Sequence, residues 1–141
     1  MRIRIVERDK KIMREIDRWR VCLGRHIREL AGFSGQRACD RRLRKLIEAG
    51  YIERKHILYG VPAIYSVTKM GKKLAGIEPS NSKLKIEQIG HDITVLDTAI
   101  YLHKGIGILF EDITTEKELH SQDGFGIRKH RPDFILSLIH I

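Results

Sequence analysis

The chain of 141 residues is poor in cysteine, proline and aromatic side chains, and it contains no long apolar run. Its two cysteines are too few for a disulfide framework or a metal knuckle. Aromatic residues make up 6%, which weakens the case for a stacking surface that binds single-stranded nucleic acid. No stretch has the apolar length of a membrane span, and residues 1–8 lack the apolar core of a secretion signal. We therefore expect a cytoplasmic protein with no membrane partner.

Motifs for catalysis and for cofactor binding are scarce as well. The seven histidines show no short metal-ligand spacing, and neither cysteine has a Cys or His partner at zinc-finger spacing. Gly105 and Gly107 lack the third glycine of a dinucleotide-binding loop, and we expect them to open a strand rather than a helix. The chain has no nucleophile elbow and no phosphate-cradling loop. The sequence predicts no enzyme, no cofactor and no metal site.

Positive charge is the feature that the chain has in excess, and it is unevenly distributed. The 27 Lys and Arg residues against 18 Asp and Glu residues give a net charge of +9. Residues 1–76 hold 20 of the basic residues against 8 acidic ones, a net charge of +12. Residues 77–141 hold 7 against 10, a net charge of −3. A basic surface favours polyanionic partners, so the first half is expected to bind nucleic acid.

Two short helices and a turn are expected at the start of the basic half. The first helix follows Asp9, which is a good N-cap residue. Its apolar side consists of residues at helical spacing: Ile12, Ile16 and Trp19. The second helix spans residues 24–31, and residues 32–35 predict a tight turn in which Ser34 caps the next helix.

A third helix is expected from about Gln36 to Ala49, and Gly50 is a natural C-cap. Its apolar side consists of four residues: Cys39, Leu43, Leu46 and Ile47. At about 100° per residue, the opposite side carries three arginines flanked by a lysine: Arg37, Arg41, Arg44 and Lys45. A helix of this kind can fix its orientation with one side and present long cationic donors to bases and phosphates with the other.

A hairpin and a fourth helix complete the basic half. Residues 51–58 and 63–67 have strand-like composition, and residues 59–62 form a turn-prone connection between them. Thr68 then caps a short helix that ends at Gly76. The order of three helices, a hairpin and a short helix is that of a winged helix-turn-helix. The sequence thus predicts an α+β protein in which residues 1–76 form a winged helix-turn-helix domain.

The predicted DNA-binding residues lie on the third helix and on the hairpin. They are Gln36, Arg37, Arg41, Arg44 and Lys45 on the helix, and Arg54 and Lys55 on the hairpin. For the helix by itself, a charged surface that contacts only water is an equal alternative. The order of the elements and the charge of the whole half favour double-stranded DNA.

Several motifs resemble those of a known family. Residues 41–52 (RRLRKLIEAGYI), followed by residues 62–71 (PAIYSVTKMG), resemble the core of winged-helix transcription regulators. Three later motifs lie at residues 91–92 (HD), 115–119 (TEKEL) and 131–134 (RPDF). In this order, the motifs resemble those of the replication-relaxation family of plasmid and mobile-element proteins. The resemblance implies a DNA-binding protein that acts in the replication, transfer or transcription of a plasmid, phage or other mobile element.

The acidic half is expected to begin with a linker at residues 77–83 and a long helix at residues 84–103. One apolar stripe of the helix repeats at steps of three and four: Ile86, Ile89, Ile93, Leu96 and Ile100. A second stripe consists of Leu84, Val95, Ala99 and Leu102. Two stripes predict packing on two sides, one of them against a second copy in a homodimer; packing within the chain alone is the alternative.

From Gly105 onward the composition is strand-like, notably at residues 106–110 and 128–141, which predicts a small β-rich C-terminal part. Asp133, with Glu116 and Glu118 upstream, resembles the opening of a metal-dependent nuclease core. No acidic residue or lysine follows Asp133, so such a site would be incomplete in this chain. Residues 84–141 are therefore expected to be a dimerisation or remnant nuclease-like module. A divalent-metal nuclease and a protein-interaction adaptor are the alternative functions.

Overall fold

The protein is α+β, and a computed structural model describes residues 3–57, 59–79 and 85–115 together with the backbone of residues 134–136. The helices are α1 (Glu7–Trp19), α2 (Gly24–Ala31), α3 (Gln36–Glu48), α4 (Lys69–Ala75) and α5 (Ile86–Ile106). The strands are β1 (Cys22–Leu23), β2 (Ile52–Lys55), β3 (Ile64–Val67), β4 (Ile113–Thr115) and β5 (Phe134–Leu136). A 3₁₀ turn, Phe110–Asp112, precedes β4. Within the described residues, no helix has the length and apolar character that crossing a membrane requires.

Two small antiparallel sheets accompany the helices. The first has the order β1-β3-β2, and the predicted hairpin forms its β2-β3 pair. In that pair Arg54 lies opposite Tyr65. The second sheet consists of β4 and β5. Because Ile52 is buried while Glu53, Arg54 and Lys55 are exposed, β2 is attached to the core at one end and carries charge along the rest of its length.

One apolar core joins the basic half to the acidic half. It contains side chains of the first three helices, among them Ile12, Ile16, Ile27, Leu43 and Leu46. Leu96 and Ala99 of α5 and Ile113 of β4 belong to the same cluster. A second cluster joins Ile89 of α5 to Val21, Leu23 and Ile64. Helix α5 therefore covers α2 and β1 of its own chain.

The described residues of the two apolar stripes predicted for α5, apart from Ile86, form one broad side of the helix instead of two opposite ones, and Leu84 of the second stripe lies outside the described residues. Ile89 and Leu96, from the predicted dimer seam, are fully buried within the chain, and so is Ala99 from the second stripe. Ile93 and Ile100 are half-buried against the same clusters, whereas Ile86 is exposed. The part of the seam that is buried here packs on the chain's own core, so it is not free to meet a second copy.

The helix starts differ from the prediction at two places. Helix α1 begins at Glu7, so Asp9 is not its N-cap but lies in its first turn, where its carboxylate accepts a hydrogen bond from the Val6 N–H at 2.9 Å. Ser34 does not cap α3, since Gly35 occupies the N-cap position in extended backbone without a side-chain hydrogen bond. The Thr68 prediction is confirmed: its hydroxyl accepts from the Gly71 N–H at 3.1 Å.

Helix α5 also ends later than the sequence predicts. It continues to Ile106 and stops at Gly107, whose left-handed backbone (φ 77°) suits glycine. Gly105 therefore lies inside a helix rather than at the start of a strand, and the strand predicted at residues 106–110 is absent. The single strand described within residues 128–141 is β5.

A buried histidine links α2 to α5. His26 is 1% exposed; its Nδ1 accepts from the Leu23 N–H at 3.0 Å, which leaves the proton on Nε2. Nε2 donates to a carboxylate oxygen of Asp97 at 2.6 Å, and Arg25 contacts the same carboxylate at 3.0 Å. Burial lowers the pKa of His26, although the hydrogen bond that His26 donates to Asp97 opposes the shift. Neutral His26 thus helps to hold α5 on α2.

We expect the free energy of unfolding to decrease as the pH falls below about 6.5, the ordinary pKa of histidine. Because the pKa of His26 is lowered in the folded state, the unfolded chain binds the proton more readily there. The loss is at most about 1.4 kcal/mol per pH unit. Urea unfolding at pH 7.5 and 5.5 should show a smaller loss in His26→Gln than in the wild type. The exposed-residue control His56→Gln should keep the wild-type loss, and equal losses in all three proteins would contradict the assignment.

Candidate nucleic-acid interface

The exposed side of α3 carries four of the predicted site residues. Arg37, Arg41, Arg44 and Lys45 are all exposed, while Cys39, Leu43 and Leu46 on the other side of the helix are fully buried. Within the described part of the chain, none of these four cations forms an ion pair with a carboxylate. The core thus fixes the orientation of α3, and the helix presents unneutralised positive charge to the surroundings.

Gln36 is placed differently from its predicted partners. It is half-buried in the first turn of α3, and its side-chain N–H donates to the Asp40 carboxylate at 2.9 Å. Asp40 itself is exposed. The amide of Gln36 is therefore oriented by a neighbour one turn along the helix, and its carbonyl oxygen remains as an acceptor for an outside group.

Arg54 and Lys55 are neighbouring residues of β2, and of the two only Arg54 lines the cavity between the hairpin and α3. Arg54 is exposed beside Tyr65, whose pKa is raised mainly by burial, so the phenol stays protonated at neutral pH. Lys55 pairs with Glu53 at 3.3 Å. Both side chains of that pair are largely exposed, and exposed pairs contribute little to stability. Lys55 can therefore exchange its partner for an outside anion at small cost.

A cavity of about 640 Å³ lies between α3 and the hairpin, and we call it the hairpin-side cavity. Its charged lining consists of Arg25, Arg44 and Arg54 against one carboxylate, Asp40. Gly24 lies in the same lining, and a side chain there would come within 3.4 Å of Gln36. The start of α2 thus approaches α3 closely enough to add Arg25 to the site.

A second cavity, of about 290 Å³, lies between α3 and the first turn of α1, and we call it the N-terminal cavity. Arg41 and Lys45 line it from α3, and Arg8 lines it from α1. The guanidinium of Arg8 lies over the Phe33 ring, 4.5 Å from its centroid, as in a cation–π contact. Helix α3 is therefore a ridge between two cavities with net positive linings. We call this ridge with its two cavities the basic face.

Arg8 and Arg25 are members of the basic face that the sequence analysis missed. Both precede α3 in the chain, by 28 and 11 residues from Gln36, and neither belongs to the charged stripe of that helix. Their place beside α3 depends on how α1 and α2 pack against it. Hydrophobic periodicity shows which side of a helix is buried but not which helices become neighbours, so no sequence signal identified these two residues.

The described residues were also compared with the requirements of a reactive thiol, a metal site and a nuclease site. Burial raises the pKa of the Cys22 thiol and raises that of Cys39 to about 12, so neither is a reactive thiolate at neutral pH. The described ranges contain no group of three His, Cys, Asp or Glu residues that could hold a metal ion. The predicted nuclease-like residues, Glu116, Glu118 and Asp133, lie outside the described residues.

In comparisons with protein-family models, curated proteins and solved structures, the chain matches none of them. The resemblance to the replication-relaxation family therefore stays a prediction from the sequence motifs. Two of its later motifs, at residues 115–119 and 131–134, lie mostly outside the described residues, and the motif at residues 91–92 lies on α5.

Proposed function

We propose that this protein binds double-stranded DNA with α3 in the major groove and that it acts by occupying a DNA site. The observation that carries the proposal is the basic face: a helix fixed by its buried side, with unpaired cations along its exposed side and a cationic cavity on each flank. A ligand that binds both cavities must carry negative charge on both flanks of the exposed helix α3. A DNA duplex supplies one, because its major groove is about 12 Å wide and is bordered by phosphates on both sides.

The order of the elements supports a winged helix-turn-helix arrangement. In this interpretation α2, the turn at residues 32–35 and α3 are the helix-turn-helix, and the β2-β3 hairpin is the wing. Gln36 and Arg37 at the start of α3 are the residues proposed to reach base edges. Arg41 and Arg44 extend the contact to bases and adjoining phosphates, and Arg54 and Lys55 bind flanking phosphates from the wing.

A duplex fits the basic face better than a single strand does. Binding of single strands depends on aromatic rings that stack on bases. Here the Tyr65 ring is buried, and the half-buried Phe33 ring is covered by Arg8. Tyr59 in the hairpin turn is exposed, but it lines neither cavity of the basic face.

A role in transcription, replication or transfer on a plasmid, phage or mobile element follows from the sequence resemblance, and we include it in the proposal. The proposal also includes binding as a homodimer, since contacts to two half-sites increase the affinity and the specificity for a DNA site. Because Ile89 and Leu96 are buried in the chain's own core, a dimer contact through α5 would use the exposed side around Tyr101.

A salt titration of duplex binding tests the proposal. The full chain is mixed with a labelled random-sequence duplex, and fluorescence anisotropy gives the association constant between about 50 and 300 mM salt. With about four to six phosphate contacts, the slope of log K against log salt should be near −4 to −5. No binding at 50 mM salt would overturn the proposal in favour of a protein-interaction adaptor. Magnesium-dependent cleavage that Asp133→Asn abolishes would favour the nuclease instead.

A further inference from the structure

The N-terminal cavity lies on the flank of α3 away from the hairpin. Arg41 and Lys45 line it, whereas Asp40 and Arg44 line the hairpin-side cavity. At about 100° per residue, these two pairs of residues project from opposite flanks of the exposed side of α3. A ligand in the N-terminal cavity would therefore meet the protein at a place that the hairpin does not reach.

The lining of the N-terminal cavity carries a net charge of +3. Four cations, Arg8, Arg41, Arg42 and Lys45, face one carboxylate, that of Asp9. Asp9 is 0% exposed, and Arg42 already neutralises it through a hydrogen bond from Nε to Oδ1 at 2.8 Å. Arg8, Arg41 and Lys45 form no ion pair within the described residues. Three cations thus share one concave site without an anion.

The position of Arg8 relative to α3 is fixed by several contacts. Arg42 of α3 donates to the Arg4 carbonyl oxygen at 2.9 Å and pairs with Asp9, and Asp9 accepts from the Val6 N–H. These contacts hold residues 4–9 against α3, and the Phe33 ring lies beneath the Arg8 guanidinium. A positioned guanidinium loses less conformational freedom on binding than a mobile one and presents a fork of donors that suits phosphate.

We infer that the N-terminal cavity binds a backbone phosphate of the duplex. This phosphate belongs to the DNA strand that passes along the flank of α3 away from the hairpin. This inference rests on the proposed function and assigns Arg8, Arg41 and Lys45 to one phosphodiester. The hairpin side holds the other border of the groove through Arg54 and Lys55. Phosphate contacts on both flanks of α3 set how deeply the helix enters the groove and how it is tilted, while they carry no sequence information themselves.

Arg8→Gln tests the inference by anisotropy with the full chain and a 24-bp duplex. We expect it to weaken binding about five- to tenfold near 100 mM salt, equally for different sequences, and to make the salt slope less steep by about 1. Arg14→Gln is the matched control, because it removes the same charge from the exposed surface of α1 outside the cavity. Its affinity should stay within about twofold of the wild type.

A second measurement separates the phosphate contact from any effect on folding. In a series of duplexes, single phosphates are replaced by uncharged methylphosphonates. One position should weaken the binding of the wild type markedly more than that of Arg8→Gln, because the variant has already lost one of the three cations that contact this phosphate. If the wild type binds with a steep salt slope and no position behaves in this way, the phosphate site is wrong while the proposed function stands. If the wild type does not bind any duplex, the proposed function fails and this inference fails with it.

Discussion

Replacing Arg41 and Arg44 together with alanine should weaken the binding of duplex DNA by roughly a hundredfold or more. Both side chains are exposed on α3, one lines each cavity, and neither is engaged by a carboxylate within the described residues. An arginine contact to a base contributes about 1–3 kcal/mol, and a hydrogen bond to a charged group such as a phosphate contributes about 1.5–3 kcal/mol, so losing the contacts of Arg44 and Arg41 costs about 2.5–6 kcal/mol. Anisotropy titrations at a fixed salt concentration near 100 mM measure the loss.

The matched control for that variant is Lys69→Ala with Lys73→Ala. It removes the same two charges from exposed positions on α4, away from both cavities. Long-range attraction alone is screened within about 10 Å at 0.1 M salt, so the control should lose about threefold or less. Equal losses in the two double variants would mean that only the net charge matters, and the assignment of α3 would be wrong.

Arg42→Leu should destabilise the protein by about 3 kcal/mol, although its neighbour Arg41 tolerates the same change. Arg42 bonds both carboxylate oxygens of Asp9, which is 0% exposed, so its loss leaves a buried negative charge without the positive charge that balances it. For a chain of this length, such a loss lowers the melting temperature by about 10 °C. Thermal and urea unfolding of Arg42→Leu and Arg41→Leu compare the two positions directly.

The double variant Asp9→Leu with Arg42→Leu distinguishes an unpaired charge from a packing defect. When both members of a buried ion pair are replaced by apolar residues, the change is often close to neutral. We therefore expect the double variant to recover much of the stability that Arg42→Leu loses. If Arg42→Leu is as mild as Arg41→Leu, the ion pair contributes little, and it cannot be what holds residues 4–9 against α3.

Much of the local structure could be predicted from the sequence. The alternation of apolar and charged residues in α3 indicates its buried side, and the turn at residues 59–62 indicates the hairpin. The candidate site residues on α3 and on the hairpin could be predicted for the same reason, because the exposure of each side chain depends on the periodicity of its own element. Thr68 was predictable as a cap because its partner, Gly71, is three residues away.

The features that were missed depend on partners far along the chain. Asp9 has the residue type of an N-cap, but its carboxylate is committed to Arg42, 33 residues away. The stripes of α5 indicated two buried surfaces, but a helix wheel cannot show that α2 and β1 cover both of them. Arg8 and Arg25 likewise join the basic face through the packing of α1 and α2. Local pattern determines which side of an element is buried, and tertiary packing determines what it meets.

The measurement that tests the central claim most directly is an NMR titration of the 141-residue chain with a short duplex. It follows backbone amide and arginine side-chain signals and shows which surface meets the DNA. The basic face predicts the largest changes along α3, in the β2-β3 hairpin, and at Arg8 and Arg25, with small changes on α4 and on the exposed side of α5. Changes confined to α4 or α5, with α3 unaffected, would contradict the account.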